Sequence, residues 1–588
     1  MHNGSYRIFK DKVIIRIKDR LCDTPTELLS SKLFLQILTQ GITNLSRRNS
    51  RLLGIFEDPT DIDVDDVRLL IQTLSFLTKL PADQVIRVLD GSAQFFRNRS
   101  LFNDFVEYLY NYWREMQRLI ICDDSHDDRL DQRPYRTFNR TVEALTHLVR
   151  STYRDIQENI TGNHPRIYRQ VRSGAEIATI AMPKTINYPQ PVYYKLNDIS
   201  VIRQILIYPP LIFTPPMNKR TGVFERVDRN PLDYIDLNKD EWLCYPAKVG
   251  PLLIMVYFSM TFFELGFAMC NLFELADDED LKRQPDAVYL FGVPEKDFPN
   301  LGQSQTIFYD DGSVDGVLTA AVPDNPRYGY FGYLKKMILT LHNIKMMKLG
   351  RLPYHGAMVN LTLRGKGDFS VLIMGDTGAG KSETLEALRA VAGEEVQEIT
   401  IIADDMGSLE IGPDGRVIGY GTETGAFVRL DDLQPGFAFG QIDRTIIMSP
   451  AQVNARVVIP VTTYEHVIKG YCPDLILYAN NYDPVDEQHP ILERFETPEQ
   501  ALEVFRAGAV MSKGTTTSTG LVKTYFANIF GPEQYPDLHE PLARAFFQKF
   551  FENKIFVGQL RTRLGLPGEE RSGPEASARA LLEALRNA

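Results

Sequence analysis

A chain of 588 residues is too long to form around one core, so two or three domains are expected. Its 44% hydrophobic and 24% charged residues are ordinary for a globular protein and exclude wholesale disorder. A net charge of −11 supplies no bulk attraction to nucleic acid or anionic membrane, and neither is expected as a partner.

The first twenty residues carry charges throughout and lack the apolar stretch of a signal peptide. Cys22, Cys122, Cys244, Cys270 and Cys472 are odd in number and contain no Cys-x-x-Cys pair. That argues against a disulfide framework or zinc site and for a reducing, cytoplasmic setting. Residues 26–160 read as helical, because TELLSSKLFLQILTQGI, DVDDVRLLIQTLSFL and TVEALTHLVRSTYRDIQENI space their apolar residues by three and four. The charged run 122–134 reads as a solvated loop between helices.

After Asn163-His164-Pro165 the texture changes. Short apolar runs separated by prolines, PVYYKL, VIRQILIYPPLIF and AVYLFGV, read as strands. Residues 249–275 are apolar enough to raise a membrane span. They open with Gly250-Pro251, contain Glu264 and are followed by Asp277, Asp278 and Glu279, so a buried strand running into a buried helix is expected. From about residue 321, strand-like and helical runs alternate: FSVLIMG, SETLEALRAV, ITIIADD. The tail PEASARALLEALRNA reads as a helix opened by proline. The expected class is α/β in the mixed α+β sense. Its expected parts are a helical accessory region (1–160), a substrate-side α/β domain (161–320) and a nucleotide- and metal-binding domain (321–588).

The strongest motif is Gly375-Asp376-Thr377-Gly378-Ala379-Gly380-Lys381-Ser382, followed by Glu383. It fits G-x-x-x-x-G-K-[ST] and lies between a strand and a helix, where backbone N–H groups and the helix dipole converge on phosphate oxygens. Lys381 would neutralise the transferring phosphate and the Ser382 hydroxyl would hold magnesium. About twenty residues on, Ile401-Ile402-Ala403 ends in Asp404-Asp405, two carboxylates of the type that bind a hard cation beside a phosphate loop.

From about Tyr328 onward the chain resembles ATP-dependent phosphoenolpyruvate carboxykinase, and its phosphate loop also resembles that of HPr kinase/phosphorylase. The resemblance is carried, in family order, by YFGYLKKMILT (330–340), LPYHGAMVNL (352–361), GDTGAGKSE with IIADD, GTETGAFVRLDDL (421–433), VNARVVIP (453–460) and TPEQALEVFRAGAVMSKGTTTSTG (497–520). It implies a carboxykinase-like C-terminal domain that uses ATP, Mn²⁺ and Mg²⁺. Lys336, His355 and Asp405 would bind manganese, with Asp404 facing the nucleotide metal. Taken singly, Lys336 reads as a surface lysine and His355 as a hydrogen-bonded core histidine. Tyr330 would lie against the substrate carboxylate, and Arg456 would bridge substrate and γ-phosphate. Arg229, in the segment Arg229-Asn230-Pro231-Leu232-Asp233, is nearest to the family's carboxylate-binding arginine motif.

The implied reaction takes oxaloacetate and ATP to phosphoenolpyruvate, CO₂ and ADP, with a nucleotide and a small dicarboxylate as partners. A kinase of the HPr kinase type, acting on a protein serine or a small-molecule hydroxyl with Asp405 as base, is the second reading. A nucleotide-binding regulator without turnover is the third. ATP, GTP and pyrophosphate all stay open as phosphoryl donor.

Overall fold

The computed structural model describes residues 5–9, 11–17, 21–123, 133–163, 174–208, 210–220, 224–298, 305–393, 395–430, 444–513 and 519–587. The chain forms two compact units. One comprises Met1–Pro183 with Ile202–Tyr208, the other Lys184–Val201 with Pro209–Ala588.

In the first unit the strands lie in the order Ser5–Phe9, Lys12–Ile17, Gln117–Asp123, Ile177–Pro183 and then the stretch from residue 202. The first pair is antiparallel and the next two pairings are parallel. Helices Lys32–Arg47, Val64–Leu77, Arg99–Glu115 and Arg133–Thr161 supply much of the rest. Their starts are written locally. Ser31 accepts the Phe34 amide, Asn98 accepts the Leu101 amide, and Asp63 and Asp66 make a reciprocal capping box. Phe56, Phe95, Phe96, Phe102 and Phe105 interlock in the core, mostly edge to face.

This unit corrects the helical reading of 1–160. Leu119-Ile120-Ile121-Cys122 is a contiguous buried run with a parallel neighbour on either side. Such strands show no alternation, so the run merged with the flanking helical patterns. The supposed loop at 122–134 lies mostly outside the described residues. PVYYKL is a second difference. Pro191–Asp198 is a 3₁₀ helix with proline in its first turn and with Tyr193 and Leu196 turned inward at three-residue spacing.

The second unit is mixed α/β. One sheet runs Trp242–Val249, Leu252–Ser259, Ala287–Val293, Leu318–Pro323, Ile307–Tyr309, Glu225–Val227. Residues 249–275 contain strand Leu252–Ser259 and the buried helix Phe263–Ala268. Among the described residues no helix is long and apolar enough to cross a membrane.

A second sheet has the order Val417–Gly421, Met406–Ile411, Leu352–Leu363, Gly367–Met374, Leu475–Asn480, Phe556–Arg561, Leu492–Arg494. Val396–Ala403 pairs with the other part of Leu352–Leu363. Helix Phe331–Lys348 also belongs to this unit, and every residue in it except Lys336 and Lys348 is buried. A helix apolar all round is an interior one, and polar groups on it need partners.

Candidate active site

The phosphate loop connects strand Gly367–Met374 to helix Lys381–Val391. Gly378 (φ +78°) and Gly380 (φ +94°) hold left-handed conformations, and a Cβ on Gly380 would sit 2.6 Å from Thr562 Oγ1. Thr562 in turn donates to the Ala379 carbonyl at 2.6 Å, which fixes the loop from outside. Lys381 Nζ donates to the Gly375 and Asp376 carbonyls at 2.7 and 2.8 Å. Burial lowers its pKa, opposed by Asp405 and Asp376. Ser382 and Thr377 are exposed, while Glu383 in the first helical turn is half-buried.

Two backbone bonds tie the loop to the acidic and histidine strands. The Gly375 amide donates to the His355 carbonyl at 3.0 Å, and the Gly356 amide donates to the Asp405 carbonyl at 2.9 Å. Three side chains from two elements then converge on Asp405. Lys336 Nζ lies 2.6 Å and Lys335 Nζ 2.8 Å from Oδ2, while His355 Nε2 lies 2.9 Å from Oδ1. Burial alone would raise the Asp405 pKa, but Lys335, Lys336 and His355 outweigh it and hold the carboxyl well below its usual range.

The neighbouring acids behave oppositely. Burial, with Asp405 adding repulsion, raises Asp404 to about 6 against the pull of Lys335. Burial raises Glu423 to about 8, although Lys335 Nζ lies only 3.0 Å away. Burial and repulsion from Lys335 lower Lys336, whose Nζ also lies 4.6 Å from the centroid of the Phe530 ring.

His355 is the most informative side chain. Its Nδ1 lies 2.6 Å from the Ala527 carbonyl oxygen, which can only accept, so Nδ1 carries the hydrogen. Its Nε2 lies 2.9 Å from Asp405 Oδ1, where it donates to the carboxylate when protonated and would offer a lone pair to a cation when not; burial, then Lys381 and Lys336, lower the His355 pKa, opposed by Asp405.

Among the described residues, no group of three or more His, Cys, Asp and Glu is arranged to hold a metal. The set here is different: one amine, one imidazole and one carboxylate. Those donors suit a divalent ion that accepts both nitrogen and oxygen.

Tyr330 caps the helix that carries Lys335 and Lys336, and its ring is 5.8 Å from Phe427. The Arg456 guanidinium lies 5.5 Å from the same Phe427 ring, and its buried Nε bonds to no described protein atom. Burial raises the Tyr330 pKa, opposed by Arg456 and Arg220.

Arg220 thus occupies the neighbourhood expected for Arg229. Its guanidinium is 5.1 Å from the Phe530 ring and 5.5 Å from Phe224, and Tyr333, Tyr330 and Asp376 are its electrostatic neighbours. Arg229 is exposed and lies over Tyr234 at 5.8 Å. Arg220 carries no family-like motif; its signal in the sequence is the Lys219-Arg220 pair that follows Pro215-Pro216. Two adjacent lysines in a largely apolar helix mark Lys335, whereas no local pattern marks Glu423. Residues 431–433 and 514–518 of the quoted segments lie outside the described residues.

Neither a scan against protein-family models nor a search of curated proteins gave a match.

Proposed function

We propose that this chain is a metal-dependent phosphoryl-transfer enzyme of the phosphoenolpyruvate carboxykinase kind, acting on oxaloacetate and ATP. The observation that carries the reading is the convergence of His355 Nε2, at 2.9 Å, and Lys336 Nζ, at 2.6 Å, on the two carboxylate oxygens of Asp405, beside the phosphate loop. Lys336, His355 and Asp405 would hold manganese. Ser382 and Asp404 would face magnesium on the nucleotide. Bound there, the cation supplies Lewis acidity toward the keto oxygen of the substrate.

The chain's own residues do the remaining work. Arg220 and Tyr330 receive the substrate carboxylate, where a planar fork of donors suits a planar anion. Arg456 lies beside Tyr330 and bridges toward the γ-phosphate, and its buried Nε is available for that purpose. The phosphate loop cradles the triphosphate, and Lys381 exchanges its carbonyl partners for phosphate oxygens. Phenylalanines 427 and 530 wall the arginine pair and exclude water, which strengthens each charge contact.

The kinase reading requires Asp405 to accept a proton from a hydroxyl. Lys335 and Lys336 both engage Asp405 Oδ2, which leaves that oxygen less free to take a proton from a hydroxyl and favours the carboxykinase reading. Incubation with oxaloacetate, ATP, Mn²⁺ and Mg²⁺ should yield phosphoenolpyruvate, read by coupling to pyruvate kinase. ADP release only when a protein or alcohol acceptor is added would replace this reading with the kinase. Nucleotide binding without turnover under either condition would leave the regulator.

A further inference from the structure

The first unit contains an apolar cavity of about 110 Å³ that the phosphate-loop chemistry does not involve. Its walls come from helices Lys32–Arg47, Arg99–Glu115 and Arg133–Thr161, with Ile15 of the central sheet and Leu74 behind. Of the hydroxyls on the wall, Ser31 Oγ accepts the Phe34 amide at 3.1 Å, Thr152 Oγ1 donates to the Leu148 carbonyl at 2.7 Å, and Tyr153 donates to Glu107. The lining is almost wholly apolar, so water inside finds few partners and an apolar molecule is the favoured occupant.

One side is aromatic and reachable. Phe34, Tyr110, Trp113 and Tyr153 line the cavity and are only partly buried, and Tyr110 and Tyr153 stack with centroids 4.1 Å apart. The Glu107 carboxylate sits against Tyr153, so an anionic headgroup would be repelled there. Burial and Glu107 together hold the Tyr153 phenol protonated far above neutrality, so it remains a donor engaged with Glu107 rather than a charge.

We propose that the first unit binds an uncharged apolar small molecule, a single ring or short hydrocarbon chain, in this cavity. A lining that is almost wholly apolar does not suit a ligand that needs hydrogen bonds for recognition.

The probe is toluene, with benzene as a second, titrated into the full chain while unfolding is followed by intrinsic fluorescence and calorimetry. Toluene at ten times its dissociation constant should raise the unfolding midpoint of the first unit by roughly 3–5 °C, saturably. Val149→Phe projects a ring into the cavity and should abolish the shift without lowering the midpoint of the unliganded protein. Leu28→Phe, on another lining residue from helix Pro25–Leu29, serves the same purpose if that variant does not fold. No toluene- or benzene-dependent shift in the natural chain would overturn the proposal, as would the same shift persisting in a folded cavity-filling variant.

Discussion

Lys381 donates to two carbonyls of its own loop and is buried with acids on several sides. Removing it takes away the only lysine of the phosphate loop, and Lys381→Ala should reduce kcat by roughly 10³-fold or more. A variant with full turnover would remove the loop from the reaction. The two arginines make a sharper comparison. Arg220→Ala should raise KM for the dicarboxylate and lower kcat/KM by roughly 10²-fold, the range for a charge-assisted carboxylate contact. Arg229→Ala should stay within about twofold, because that side chain is exposed over Tyr234. Equal effects in steady-state assays would refute the placement of the substrate. Contiguity decided what was legible here. Gly375 to Ser382 and Asp404-Asp405 are runs, and runs can be read from a string. Arg220, Lys335 and Glu423 reach the same place from separate elements, so only packing shows that Lys335 stands 2.8 Å from Asp405.

At the scale of the element, the loop between Gly367–Met374 and Lys381–Val391 depends on one backbone state. Gly380 combines a φ of +94° with a Cβ direction blocked by Thr562. Gly380→Ala should therefore weaken ATP binding at least tenfold by calorimetric titration while far-UV circular dichroism is unchanged, since the strain falls on the loop alone. Unaltered affinity would show that the loop does not need this conformation. The strand–loop–helix sequence was legible because FSVLIMG, the glycines and SETLEALRAV change texture at the element boundaries. Gln117–Asp123 was not. An interior parallel strand of four apolar residues carries no period to separate it from the ends of Arg99–Glu115 and Arg133–Thr161. Helix Phe331–Lys348 was quoted as a family segment, and its near-complete burial explains why it lacks a polar face.

At the scale of the whole molecule, two compact units predict more than one unfolding transition, and the second unit has its own acid limit. Burial lowers His342 and His539 to about 4. A histidine lowered from its unfolded value near 6.5 contributes stability that is complete above that pH and is lost as pH falls toward 4. For fully buried His342 the contribution amounts to roughly 3 kcal/mol at neutrality. Denaturant midpoints for the second-unit transition should fall between pH 7 and pH 4.5, and His342→Asn should flatten that fall. Parallel curves for the two proteins would exclude His342 as a source. The account as a whole turns on whether Lys336, His355 and Asp405 would hold a divalent cation. Titration of Mn²⁺ into the natural chain and into His355→Ala, followed by the loss of the free-ion electron paramagnetic resonance signal, tests it most directly. The account predicts one tight site in the nucleotide-free natural chain and at least tenfold weaker binding in the variant. Equal Mn²⁺ affinity in the two proteins, or no binding in the natural one, would contradict it.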